Sequence, residues 1–254
     1  MYNPYSLLNK TILVTGASSG IGRATAVECS KLGANIILTG RNENRLQETN
    51  NQLDVSLGQN HIILVADLTT EEEIEKLVEH LPELDGVSSN AGINNGHKPI
   101  KFVKSEELLE VTNANVFSHI HLAKLLFKKK LLKKGSSYVF TASIGGVFSQ
   151  ANGQSVYGLS KGAINSFMKY CAIEFAGKKI RCNSVCPGMI VTHMTETLAS
   201  VTEEDKEKDA EKYLLKRYGQ PEEVALTIAF LLSDASSYIT GTSVVIDGGY
   251  LANH

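Results

Sequence analysis

Tyr157 and Lys161 lie four residues apart in a stretch with helical patterning, so their side chains share one face. A phenol near its ordinary pKa of about 10 is a poor proton donor or acceptor at neutral pH. A neighbouring ammonium favours the phenolate and lowers that pKa. Spacing alone says little, because with 9 Tyr and many Lys one such pair is close to what chance supplies. Ser143 adds context: it sits just past the carboxyl end of a strand and is followed by Gly145 and Gly146. A hydroxyl there can hold a substrate oxygen and stabilise charge developing on it.

A second group of residues could hold a phosphate. A strand runs directly into Thr15-Gly16-Ala17-Ser18-Ser19-Gly20-Ile21-Gly22 and then into a helix. A turn without Cβ atoms lets the backbone approach a pyrophosphate, whose charge faces the N–H groups of the helix N-terminus. Gly16 and Gly20 are two residues further apart than the first two glycines of the G-x-G-x-x-G pattern, and a glycine-rich loop by itself is only a turn. Its place between first strand and first helix makes it a dinucleotide site. After the second strand come Thr39-Gly40-Arg41-Asn42, with no acid before Glu43. A carboxylate there would bind a ribose 2′-hydroxyl. Arg41 instead suits the 2′-phosphate of NADP, the alternative being an exposed arginine at the sheet edge. With Tyr157 at the same sheet edge, the expected chemistry is hydride transfer between nicotinamide and a carbonyl or alcohol carbon, the positive nicotinamide ring joining the ammonium in lowering the phenol's pKa.

The elements that must position these groups alternate along the chain. Strands are expected at 11–15, 35–39, 61–65, 85–89, 136–142, 179–185 and 242–247. Helices are expected at 20–32, 43–57, from 71, at 105–133, at 155–176, and from Pro221 to about Ser233. Near-continuous apolar strands separated by helices indicate a parallel sheet covered on both faces. The sequence therefore predicts one doubly wound α/β Rossmann domain of seven strands over 1–254, with no linker or repeat. Ligands of such sheets bind beyond the carboxyl ends of the strands.

The 254 residues are 43% hydrophobic and 20% charged with net charge -2, a globular balance without the global positive field that draws nucleic acid. Lys128 to Lys130 with Lys133 and Lys134 read as a solvated helix end. No apolar run is long enough for a membrane span, and Met1 to Lys10 show no secretory pattern. Cys29, Cys171, Cys182 and Cys186 form no C-x-x-C pair, as expected of cytoplasmic core thiols. The scattered histidines, His119 and His121 included, give no metal site.

The motifs in this order resemble the short-chain dehydrogenase/reductase family over essentially the whole chain, nearest to its 3-oxoacyl-carrier-protein-reductase-like members. Beside the glycine turn and Tyr157-x-x-x-Lys161 they comprise Asp67-Leu68, Asn90-Ala91-Gly92, Asn115, Ser143 and N-S-V-C-P-G-M-I-V-T at 183–192. Gly219, Pro221, Tyr238-Ile239-Thr240-Gly241 and Asp247-Gly248-Gly249 extend the match. The resemblance implies Asn115, Ser143, Tyr157 and Lys161 as catalytic residues, Asn115 holding a water that links Lys161 to solvent. It implies that Asp67 and Leu68 meet the adenine, that Asn90 meets the adenosine-side ribose, with Ala91 and Gly92 beside it, and that Lys161 meets the nicotinamide ribose. Ile190 and Thr192 would meet the carboxamide, set by the turn at Pro187-Gly188. It further implies a homotetramer whose dimer contacts use the helices at 105–133 and 155–176, and a substrate lid at about 189–217. His193, Met194, Phe148 and Gln150 are wall residues by position. One departure is Ser89, where the family has a second asparagine; a shorter side chain there should keep a local hydrogen bond.

The favoured activity is NADP(H)-dependent reduction of a ketone, with 3-oxoacyl thioesters among the candidate substrates. The alternative within enzymes is a dehydrogenase of a sugar, steroid or polyol alcohol. The alternative outside them is a cofactor-sensing regulator, which would be expected to have lost Tyr157 or Lys161. An enoyl reductase of this fold would space its tyrosine and lysine more widely.

Overall fold

The computed structural model describes residues 2–192 and 203–253. Seven strands form one all-parallel sheet: β1 (Thr11–Thr15), β2 (Asn35–Gly40), β3 (Ile62–Val65), β4 (Leu84–Ser89), β5 (Leu132–Thr141), β6 (Arg181–Pro187) and β7 (Ser243–Ile246). Their order is β3-β2-β1-β4-β5-β6-β7. The chain leaves β1 toward β2 on one side and returns to β4 on the other, so strand order reverses between β1 and β4. A crevice opens there beyond the carboxyl ends.

The sheet is central because its strands are apolar on both faces. In β1, Leu13 faces a core shared with α3 (Glu71–Glu79), α5 (Ser118–Lys128) and α6 (Ser155–Phe175). Ile12 and Val14 face the opposite core, shared with α1 (Gly20–Lys31) and α8 (Pro221–Leu232). Ile12, Leu13 and Val14 are all fully buried, each contributing about 1.5–3 kcal/mol relative to exposure. The remaining helices are α2 (Glu43–Asn50), α4 (Ser105–Thr112) and α7 (Glu203–Ala210).

Element bounds differ from expectation in three places. Helix α2 stops at Asn50 rather than near 57, because the chain turns and sends Leu53 into the core. The helix expected over 105–133 is two helices joined by a π-helical turn, Asn113–Phe117, and it ends at Lys128. Strand β5 starts at Leu132, which pairs with Leu84 ahead of a register shift. Lys133 and Lys134 are therefore strand residues, and only Lys128 to Lys130 close the helix. Among the described residues no helix is long and apolar enough to cross a membrane.

Candidate functional site

The glycine turn is fixed by contact, not merely by flexibility. A Cβ on Gly22 would lie 2.3 Å from the carbonyl oxygen of Gly16, so helix α1 can start against the turn only with glycine there. No side chain caps α1, and its first turn lines a cleft of about 520 Å³ together with Gly16, Ser18, Ser19, Gly20, Ile21 and Gly22. Uncapped N–H groups at a helix start suit an anion. Across the cleft run Asn90, Ala91 and Gly92, which follow β4. Asn90 N and Ala91 N both donate to Thr15 Oγ1, at 3.0 and 3.2 Å, which pins this loop to the end of β1.

Arg41, Asp67 and Leu68 line the same cleft. Arg41 is largely exposed and lies 3.9 Å from the Asp67 carboxylate. Asp67 also accepts from Thr69 N at 2.9 Å and Thr69 Oγ1 at 2.8 Å. Pattern reading missed Arg45, which lines the same cleft from the first turn of α2, and also Thr69, Ile93, Glu110, Asn113 and Thr141. A basic residue one helical turn past Arg41 was the available signal for Arg45.

Thr192 lines the cleft against the glycine turn, 3.3 Å from the place a Gly20 Cβ would occupy, and at the other end lie Tyr157 and Lys161. Lys161 is 5% exposed, with Nζ 5.6 Å from the centre of the Tyr157 ring and donating to the Thr141 carbonyl at 2.9 Å. Burial pushes its pKa down to about 8. In the chain itself burial pushes the Tyr157 phenol up to about 12, while the hydrogen bond with Ser143 opposes it. The neutral phenol is thus the resident form. Ser143 Oγ accepts from Gly145 N at 3.1 Å.

Asn115 is fully buried in the π turn, the kind of helical irregularity found at functional sites. Its amide donates to the Ile93 carbonyl at 2.9 Å and to Ser160 Oγ at 3.0 Å, and its oxygen accepts from Ile93 N at 2.7 Å. The side chain thereby fixes the stretch after Gly92. A Cβ on Gly92 would sit 3.1 Å from Asn115 Oδ1 and 3.6 Å from Lys161 Nζ, so the three groups adjoin.

Not every expected residue reaches the cleft. Pro187 ends β6 with its carbonyl accepting from Ile144 N at 3.0 Å, and Gly188 just beyond donates its N–H to the Ile246 carbonyl of β7 at 2.9 Å. Ile190 is buried, bridges Gly219 and faces a separate hollow of about 110 Å³. Phe148 and Gln150 are exposed on the loop after Ser143. His193 and Met194 lie outside the described residues, as does the part of the expected lid over 193–202; of the rest, Glu203–Ala210 is helical.

The residues present fit a dinucleotide: a close-approach glycine turn, an uncapped helix start and a lysine among polar groups at the far end. Comparison with known proteins agrees. The family model described as Enoyl-(Acyl carrier protein) reductase matches residues 16–251. The chain is 36% identical over 245 residues to the 3-oxoacyl-[acyl-carrier-protein] reductase FabG of Rickettsia felis, covering 96% of this chain and 98% of that one. It is 35% identical over 256 residues to a tropinone reductase homolog of Arabidopsis thaliana, covering 98% and 95%. Among solved structures, levodione reductase superposes with a TM-score of 0.91 at 30% identity, over 97% of this chain and 99% of that one. Fold, cleft and comparisons together make this chain a member of the short-chain dehydrogenase/reductase family, oxidoreductases that act on CH–OH or C=O groups with NAD(P).

Proposed function

We propose that the protein is an NADP(H)-preferring reductase of a ketone, with Ser143, Tyr157, Lys161 and Asn115 as its working residues. The observation that carries the reading is that Lys161 and Tyr157 meet, next to Ser143, at the end of a cleft whose other end is the glycine turn. The nicotinamide, when bound, supplies or accepts the hydride. Ser143 holds the substrate oxygen, and Tyr157 gives that oxygen its proton. Lys161 carries a positive charge beside the phenol and would meet the nicotinamide ribose. The Asn115 side chain is nearly saturated by Ile93 and Ser160, so its part is to hold the loop after Gly92, and a water linking Lys161 to solvent would have to bind its backbone.

Arg41 and Arg45 lining one cleft, with no carboxylate at the end of β2, support a preference for NADP over NAD. Asp67 and Leu68 would face the adenine, and Thr192 the carboxamide. The similarity to FabG makes 3-oxoacyl thioesters the first substrate class to examine. The similarity to tropinone reductase homologs and levodione reductase supports other ketones, and the oxidative direction on a sugar, steroid or polyol alcohol is the second reading. Enoyl reduction is disfavoured by the four-residue spacing of Tyr157 and Lys161. We further infer a single catalytic domain, a lid formed within 189–217, a homotetramer, and a cytoplasmic setting supported by four free buried thiols.

Tyr157→Phe tests the assignment. It should lower turnover at least a thousandfold, since it removes the proton donor itself, while NADPH affinity stays near wild type. Retained turnover with the ketone that the wild type reduces best would refute it. Arg41→Ala tests the cofactor preference through the NADPH-to-NADH ratio of kcat/KM, which should fall; an unchanged ratio removes Arg41 from the assignment.

A further inference from the structure

His119 lies near the start of α5, is 3% exposed, and takes no part in the chemistry above. Its ring joins two groups on either side of Asn90. Nε2 is 2.7 Å from the carbonyl oxygen of Ala91, and Nδ1 is 2.5 Å from Ser89 Oγ. A carbonyl oxygen can only accept, so Nε2 carries the proton. Nδ1 then presents its lone pair to the Ser89 hydroxyl, which donates. The neutral ring therefore satisfies both partners at once. Burial, reinforced by the positive Lys161 nearby, holds the imidazole pKa down at about 4, so this tautomer persists throughout the neutral range.

What the ring holds is one wall of the cleft. The N–H side of the loop is tied to Thr15 Oγ1, and the Asn90 side-chain oxygen accepts from Thr141 Oγ1 at 2.6 Å. The Ala91 carbonyl is held from the α5 side by His119. A turn of the Ala91–Gly92 peptide would be felt on both sides. Ala91 Cα and N lie 3.0 Å from the place a Gly16 Cβ would occupy, and Gly92 adjoins Asn115 and Lys161. Ser89 also explains how the ring fits: it is 1% exposed, and a longer side chain would enter the space the imidazole fills. The departure at Ser89 and the buried histidine are thus two halves of one arrangement.

We propose that the Ser89–His119 pair is a positioning device for the loop 90–92, setting cofactor affinity by fixing the Ala91 carbonyl. The inference rests on the reading of the cleft as the dinucleotide site. Two substitutions at 119 separate hydrogen bonding from shape. His119→Phe keeps a ring and removes both bonds. His119→Gln keeps a donor and an acceptor at similar separation.

NADPH dissociation constants from fluorescence and steady-state kinetics on the full chain read the outcome. The Phe variant should raise both Kd and KM for NADPH about tenfold, the scale of stranding a buried carbonyl, with kcat within about threefold of wild type. The Gln variant should stay within about twofold of wild type in both constants. A purely structural role would lower the unfolding temperature without that split or that rescue. A folded Phe variant with wild-type affinity overturns the inference, and so does a Gln variant as weak as the Phe variant. Should the Phe variant not fold, Ser89→Ala, which strands Nδ1, should weaken NADPH about threefold; wild-type affinity there overturns it equally. If the unmodified protein binds neither NADPH nor NADH, the reading of the cleft itself falls. Unaltered affinity in the variants of a protein that does bind them fails the His119 inference alone.

Discussion

Lys161 is an ammonium placed where solvent hardly reaches, beside a phenol that burial keeps protonated. Both shifts favour the neutral form of the group concerned, so they work against each other's charge only weakly. At pH 7 a pKa of about 8 leaves Lys161 mostly charged, and a Tyr157 at about 12 is a phenol. That pairing suits proton donation to a carbonyl oxygen, whereas alcohol oxidation would need the phenolate. The lysine has a signature in stability. Its folded pKa lies below the unfolded value of 10.5, so between about pH 8 and 10.5 the unfolded chain binds the extra proton and stability rises with pH. Relative to Lys161→Met, which cannot titrate, the wild type should gain on the order of 2 kcal/mol between pH 7 and 10. Thermal unfolding of both proteins across that range checks it, and parallel curves would mean that Lys161 is not desolvated.

At the level of elements, two close approaches of backbone to backbone set the two ends of the cleft. Gly22 lets α1 begin against the Gly16 carbonyl. Gly146, with φ +85°, lets the loop after Ser143 lie on α6, where a Cβ would come within 1.9 Å of the Gly158 carbonyl oxygen. Alanine at either site forces backbone apart, since no flexible side chain can yield. Gly22→Ala should weaken NADPH at least tenfold, while Gly146→Ala should depress kcat at least tenfold, because Ser143 moves relative to Tyr157, with NADPH affinity near wild type. Titration and turnover of each variant check this, and loss of NADPH affinity in Gly146→Ala would show that the two ends are not independent.

The same distinction explains what the sequence made legible. The glycine turn, Tyr157 and Lys161 are local patterns, and the strands they attach to are short apolar runs, so both could be placed directly. Arg45, Asn113 and Thr141 reach the cleft from three different elements and have no local pattern. The π turn at Asn113–Phe117 keeps both flanking helices amphipathic, and one extra residue is invisible to periodicity over so short a span. Ser89 could be singled out as a departure, but its partner lies 30 residues on, and only the packing of α5 against the end of β4 brings them together. The sequence expectation for Tyr157 counted the charges of Lys161 and of a bound nicotinamide and left out burial, the leading effect in the chain itself.

On the scale of the whole molecule, some of the exposed apolar side chains lie on helices and a sheet edge that could meet another copy of the chain. On α6, Leu159, Tyr170 and Ile173 are 57%, 61% and 73% exposed; spacings of eleven and three residues put them on one stripe. Leu109 of α4 and Phe117 of the π turn are exposed as well. On the opposite face of the sheet Leu226 of α8 is exposed, and so is Val245 of the edge strand β7. An uncovered sheet edge and an apolar helical stripe are both costly to leave in water. The proposed tetramer of 222 symmetry needs two such faces, each repeating about its own two-fold axis. Light scattering on the full-length protein at micromolar concentration should give four times the 27.6 kDa chain mass. The pair Ile173→Glu and Leu109→Glu should halve that mass by opening only the helical face, with the β7 face still joined. A wild-type monomer would show that neither face is an interface, and a mass unchanged by the double substitution would move the helical contact elsewhere.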